Sequence, residues 1–140
     1  MKPEELMIGD WVYDKHYNGD IEPIQIHNIY GTEVNCKTER NRFDVDEIVS
    51  GTYMSDLQPI PLTPEILEKN GFIGDKNVCK TKMRDDSKDE LWQCEYAWYL
   101  KNLRIKNRTN GSVARLYNIM FVHELQHALR LCGINKEIEI

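Results

Sequence analysis

Over roughly the first sixty residues the apolar positions recur at period two and are cut into short runs by turn residues. Gly9-Asp10 precedes Trp11-Val12-Tyr13. Asn18-Gly19-Asp20 precedes the run from Ile21 to Tyr30, in which Ile24, Ile26 and Asn28 alternate with Gln25, His27 and Ile29. Such alternation marks a strand with one buried face, because successive side chains point to opposite sides of the pleat. Gly31 ends that run before a further alternating stretch from Glu33 to Lys37. The acidic residues Asp44 to Glu47 and the pair Ile48-Val49 then lead into Ser50-Gly51, read as another turn. Four or five short strands joined by tight turns fit a strongly bent sheet, so residues 1–62 are expected to form a small SH3-like β-barrel.

Residues 63–71 carry the clearest punctuation in the chain. Thr63 suits an N-cap, Pro64 the first helical position, Glu65 the positive end of the helix dipole, and Gly71 a left-handed C-cap. A connector helix of about two turns is expected, with Ile66 and Leu67 inward. Residues 72–140 read as a second antiparallel sheet region packed by a C-terminal helix. From Leu91 to Leu100, Trp92, Cys94, Tyr96 and Trp98 share one face, while Gln93, Glu95 and Ala97 share the other. Leu103 and Ile105 alternate with Arg104, Lys106 and Arg108. Thr109-Asn110-Gly111-Ser112 then signals a hairpin into the stretch from Val113 to Ile119. Val122, Leu125, Ala128, Leu129 and Cys132 recur at helical spacing before Gly133, and the closing Ile-Glu-Ile reads as a short strand. The fold class expected is α+β.

Composition narrows the class. The 140 residues are 41% apolar and 29% charged with a net charge of −5, which excludes a disordered chain, and no apolar run has the roughly 18 residues of a membrane span. The first residues carry two acids and no apolar core of a secretory signal, so a cytoplasmic location is expected. Cys36, Cys79, Cys94 and Cys132 are widely spread, without a Cys-x-x-Cys pair, and read as reduced thiols.

One stretch carries specific chemistry. His123-Glu124-Leu125-Gln126-His127 spells the pattern in which two histidines on one helix face bind zinc and the intervening Glu acts as base toward a metal-bound water. The apolar residues of this helix cluster on one side of a helical wheel, and His123 and His127 straddle nearly the opposite side, where both are expected to face water. A third ligand is not evident. Glu137 and Glu139 are the acids that follow, and Arg130 and Gly133 stand where the extended metzincin pattern needs Gly and His. His16, His27 or a carboxylate remain as upstream ligand candidates.

The stretch from Phe121 to Ile134 resembles the C-terminal signature of a family of small bacterial proteins from phage-like and mobile-element regions. Leu6 to Tyr13 and Pro59 to Leu67 resemble the same family, and the three stretches cover about a quarter of the chain in order. The resemblance brings no activity with it. It implies that the histidine helix is structural, since the family's stretch can read with Gln where Glu124 stands and Asn where His127 stands.

The expected function is therefore a non-enzymatic accessory or interaction protein of such an element, with a protein partner, no cofactor and no membrane contact. Two alternatives stand beside it. One is a minimal zinc hydrolase, with His123 and His127 as ligands and Glu124 as general base. The other is a nucleic-acid-binding module in which Arg104, Lys106, Arg108 and Arg115 form a cationic ladder beside Trp98, Tyr99 or Tyr117. Net acidity and the charged run Asp85 to Glu90 count against the last. Trp11, Tyr13, Tyr17 and Tyr30 are a further candidate, as an aromatic peptide groove.

Overall fold

A computed structural model describes residues 1–30, 33–38, 49–74, 78–85 and 90–140. The chain is α+β and divides into two compact units, Met1–Pro61 and Leu62–Ile140. The boundary lies one residue before the expected end of the first region. No described helix is long and apolar enough to cross a membrane.

The first unit is one antiparallel sheet of β1 (Trp11–Lys15), β2 (Ile21–Tyr30), β3 (Glu33–Thr38), β4 (Val49–Tyr53) and β5 (Leu57–Pro59), in the order β4-β3-β2-β1-β5. The first four strands meander, and β5 returns to β1 after a 3-10 turn at Met54–Asp56. Local chemistry sets the turns. Gly9 takes a φ of 88°, which costs a residue without Cβ nothing, and the Asp10 carboxylate accepts from the Met7 N–H at 2.7 Å. At the β1–β2 hairpin the Asn18 side chain accepts from the Asp20 N–H at 3.1 Å, an Asx turn. Alternation then buries Ile24 and Ile26 with Leu6, Val12, Met54 and Leu57 in the core.

The outer strands β4 and β5 are not paired with each other, so the sheet is open at its edges. It is nonetheless strongly curled. Thr52 of β4 donates through Oγ1 to the Asp14 carboxylate of β1 at 2.7 Å, although two strands intervene and three inter-strand steps would span about 14 Å in a flat sheet. The Ser50-Gly51 pair, expected to form a turn, lies inside β4. Gly51 pairs with Asn35 and Val49 with Cys36, so Ser50 is taken up as the extra residue of a register shift, the bulge that small turn-forming residues also accommodate. Asp44 to Glu47 lies outside the described residues.

The second unit opens with α1 (Pro64–Lys69). Thr63 caps it, its hydroxyl accepting from the Ile66 N–H at 3.3 Å, and Gly71 follows with a φ of 86°. Leu67 is buried and Ile66 only half-buried. The sheet contains β6 (Ile73–Gly74), β7 (Val78–Asp85), β8 (Glu90–Ala97), β9 (Asn102–Asn107) and β10 (Val113–Leu116), in sequence order from one edge to the other. Period two is obeyed: Cys94, Tyr96, Leu103 and Ile105 are fully buried, and Gln93, Glu95 and Arg104 are not. At the hairpin the Asn107 side chain accepts from the Thr109 and Asn110 N–H groups, and Gly111 has a φ of 75°. Two expected boundaries move inward. Trp98 to Lys101 is a turn rather than strand, closed by Lys101 at a φ of 52°, and β10 stops before Asn118 at a φ of 60°. β8 begins at Glu90, one residue before the expected Leu91, and residues 86–89 of the charged run lie outside the described residues.

The helix α2 (Val122–Leu131) follows a segment lashed down by two bonds. Tyr96 donates its hydroxyl to the Ile119 carbonyl at 2.5 Å, and the Ile119 N–H donates to the Lys101 carbonyl at 2.8 Å. Residues after Gly133 form no strand, in contrast to the expectation from Ile-Glu-Ile. Ile134 and Ile138 are buried, and side chains at the end of α1 supply polar pairing to the tail, Lys69 Nζ donating to the Ile140 carbonyl. The buried Asn70 amide donates to the carbonyls of Ile66 and Glu139 at 2.7 and 2.6 Å and accepts from the Glu139 N–H at 2.9 Å.

Two outcomes follow from these contacts. Asn70→Ala should cost about 2–3 kcal/mol in denaturant unfolding, because it leaves backbone groups of Glu139 unpaired, whereas Asn135→Ala at an exposed position should be neutral. Burial, with neighbouring Cys132 adding to it, pushes the Cys94 thiol up to about 12. Since the thiolate is the nucleophile, Cys94 in the native protein at pH 8 should alkylate roughly a thousandfold more slowly than an unperturbed thiol, as read by mass spectrometry.

Candidate functional site

Register aligns the charged side of the second sheet. Glu95 of β8 pairs with Arg104 of β9, and Arg104 pairs with Arg115 of β10. One row along, Gln93 pairs with Lys106 and Lys106 with Val113. On β7 the partners of Glu95 and Gln93 are Lys80 and Lys82. Two adjacent rows thus hold five basic positions and a single acid.

A depression of about 240 Å³ opens on this face, lined in part by Glu95, Tyr99, Arg104, Arg115 and Tyr117. A second hollow is lined by Gln93, Glu95, Arg104 and Lys106. Tyr99 and Tyr117 are 72% and 64% exposed, and Leu100 and Val113 add apolar surface beside them. Arg104, Lys106 and Arg115 are therefore brought together as the alternation suggests. Arg108 is not, because β9 ends at Asn107 and Arg108 begins the exposed turn. Trp98 also leaves the ladder. Its ring stands edge-on to Tyr96 at 4.9 Å, with Lys101 Nζ 5.4 Å from its centre.

Sequence reasoning assigned no role to Glu95, Lys80 and Lys82. Their signal was the same alternation carried across strands: once β7, β8 and β9 are paired, i and i+2 positions on all three share a face. The net charge of −5 is unevenly divided. The first unit has 5 Lys plus Arg against 12 Asp plus Glu, and the second has 13 against 11, so they carry −7 and +2. The excess of acids lies in the first unit.

The helix α2 bears the His-Glu-x-x-His pattern in a different setting from a metallopeptidase. Glu124 turns back to the helix start, where its Oε2 accepts from the N–H groups of Met120 at 2.7 Å and Phe121 at 3.1 Å. This is the glutamate arm of a capping box, and Phe121 at the N-cap has no side-chain acceptor to supply the other arm. Contrary to the expectation from the wheel, His123 is only 6% exposed, stacked at 5.9 Å on the Phe121 ring and edge-on to His127 at 5.8 Å. Gln126 is buried as well. A helix covered on more than one side buries polar residues that a wheel assigns to water.

Among the described residues no group of three or more His, Cys, Asp or Glu side chains is placed to hold a metal ion. His16 sits at an exposed hairpin, 3.6 Å from Glu22, and His27 is on β2. With the glutamate occupied at the helix start and one histidine inside the protein, the described residues do not fit a catalytic zinc.

Among the described side chains, Trp11, Tyr13 and Tyr17 do not share an exposed groove. Trp11 is buried, Tyr13 half-buried and Tyr17 fully exposed, and the Tyr30 side chain lies outside the described residues. No protein-family model, curated protein or solved structure matches the chain.

The capping geometry makes a direct forecast. Glu124→Ala should lower unfolding stability by about 1 kcal/mol, while Glu124→Gln, which keeps an acceptor oxygen, should stay within about 0.5 kcal/mol of wild type.

Proposed function

We propose that the chain is a cytoplasmic, non-enzymatic interaction module of a phage-like or mobile element, and that its second unit binds single-stranded nucleic acid on the face of β8, β9 and β10. Arg104, Lys106 and Arg115 neutralise phosphates, and Tyr99 and Tyr117 stack on bases. The observation that carries this reading is the pairing of Arg104 with Arg115 directly across two strands, beside two exposed tyrosines.

Like charges directly opposite in a sheet are destabilising by some tenths of a kcal/mol, a cost that an anionic ligand reverses. Basic side chains next to aromatic platforms are the combination that holds single strands without demanding sequence. Positions two apart on one strand lie about 6.7 Å from each other, so Arg104 and Lys106 are spaced to follow an extended backbone. A protein partner is less well matched, because the centre of the face is charged rather than apolar.

The first unit is read as SH3-like. Its meander, the return of β5 to β1 after a 3-10 turn, and the Thr52–Asp14 bond support that reading. It is assigned no role in binding the strand.

Fluorescence anisotropy with a labelled single-stranded octamer at low salt tests the proposal. Wild type should bind, with affinity falling as salt rises. Arg104→Glu and Lys106→Glu should each weaken binding at least tenfold, and Arg115→Ala should flatten the log–log salt dependence by about 0.7, the loss of one phosphate contact. Absence of binding at low salt overturns the proposal.

A further inference from the structure

The cations of the basic face are not evenly spread. Arg104 and Arg115 are direct cross-strand partners, both exposed, and they line one depression together. Glu95, on the other side of Arg104 in the same row, is already engaged within the protein. Among the described residues, no hydrogen bond or ion pair occupies either arginine side chain. One row along, the cross-strand neighbours of Lys106 are Gln93 and Val113, neither of them charged. In the opposite direction the cations stop. Two positions further along β9 and past β10, the arginines give way to Asn102 and Tyr117, and Lys101 in the preceding turn lies over the Trp98 ring.

We infer that the pair of Arg104 and Arg115 is a subsite for a terminal phosphate, so that the single strand on this face is held by a phosphorylated end. This rests on the nucleic-acid reading above and adds to it the part of the strand that is recognised.

Directly opposed residues have Cβ atoms about 4.5–5.5 Å apart, close enough for two guanidinium groups to meet one anion. An internal phosphodiester matches such a pair poorly. It has a single charge and two free oxygens, which one arginine fork fills. A phosphomonoester at a strand end carries about −1.5 to −2 charges at pH 7 and three free oxygens, so it answers two forks and two charges. Lys106, a point charge about 6.7 Å along β9, suits the adjoining phosphodiester. The depression, about 240 Å³ and bordered by Tyr99 and Tyr117, receives the end nucleoside by stacking, on the side where the cations stop. A strand continuing past the pair would meet a tyrosine and an amide where its next phosphate needs a cation.

Competition against an internally labelled thymidine octamer, read by anisotropy at low salt, tests the subsite. The competitors are thymidine octamers with a 5′-phosphate, with a 3′-phosphate or with hydroxyls at both ends, and a hydroxyl-ended nonamer, which adds a charge without a monoester. One phosphorylated octamer or the other should bind wild type roughly tenfold more tightly than the nonamer, the gain expected from hydrogen bonds to a doubly charged acceptor. Which of the two it is gives the direction of the strand. Arg115→Lys keeps the charge and loses the fork, and should cut that ratio to about three or less. Arg104→Lys should do the same, and serves where Arg115→Lys binds too weakly to measure. Lys106→Ala should weaken all four strands alike and preserve the ratio. Each ratio is taken within one protein, so a loss of folded material does not imitate it.

A wild-type ratio below about three for both phosphorylated octamers, or a ratio that survives the lysine substitutions, overturns the subsite and leaves the two arginines to internal phosphates. Failure to bind any of the four strands overturns the nucleic-acid reading itself, and the subsite with it.

Discussion

The pairing register of β8, β9 and β10 is the constraint on which the second unit depends. A slip of one residue would turn every side chain over, sending Cys94, Tyr96, Leu103 and Ile105 to water and Glu95 and Arg104 into the core. Burial of those four residues holds the register from one side. From the other it is held by the β9–β10 turn, where Asn107 binds two turn amides and Gly111 takes the left-handed conformation. The basic face is thus a by-product of the hydrophobic one. Any change that preserves the core preserves the placement of Arg104 opposite Arg115.

The histidine helix illustrates the reverse relation between motif and setting. Five residues spell a zinc site, yet four of them have a structural explanation in place. Glu124 binds the first amides of its own helix, His123 packs on Phe121, and Leu125 and Gln126 are buried. A glutamate three residues after an N-cap is a strong capping signal, and that was readable without coordinates. The capping reading and the catalytic reading compete for the same carboxylate, and in the structure that carboxylate accepts from the amides of Met120 and Phe121.

Much of the architecture was legible because it depends on local patterning. Alternation located the strands around Val12, Ile24 and Cys94, and Thr63-Pro64 with Gly71 bounded α1 closely. Errors fell where a longer-range partner overrode local chemistry. Ser50-Gly51 has turn residues but is held in β4 by pairing to β3, and the Ile-Glu-Ile tail has a strand pattern but finds Asn70 rather than a strand. Wheel geometry failed for His123 because coverage of a helix by a second side is invisible along the chain. For the candidate site, Arg104, Lys106, Arg115 and the two tyrosines were readable. Glu95 and the two lysines of β7 emerged only with cross-strand register.

The Asn70 clasp also has a kinetic meaning. It joins positions 69 residues apart, nearly the whole span of the second unit, through a buried amide whose partners are backbone groups. Contacts of such separation repay their loop-closure entropy late, after the hairpins of β8, β9 and β10 have formed from near neighbours. On the ribosome, the β8–β10 face can assemble as soon as residue 117 emerges, whereas the Asn70 side chain must wait for its two Glu139 partners until residue 139 is clear of the exit tunnel. The order of synthesis therefore places the binding face ahead of the contact that closes the unit behind it.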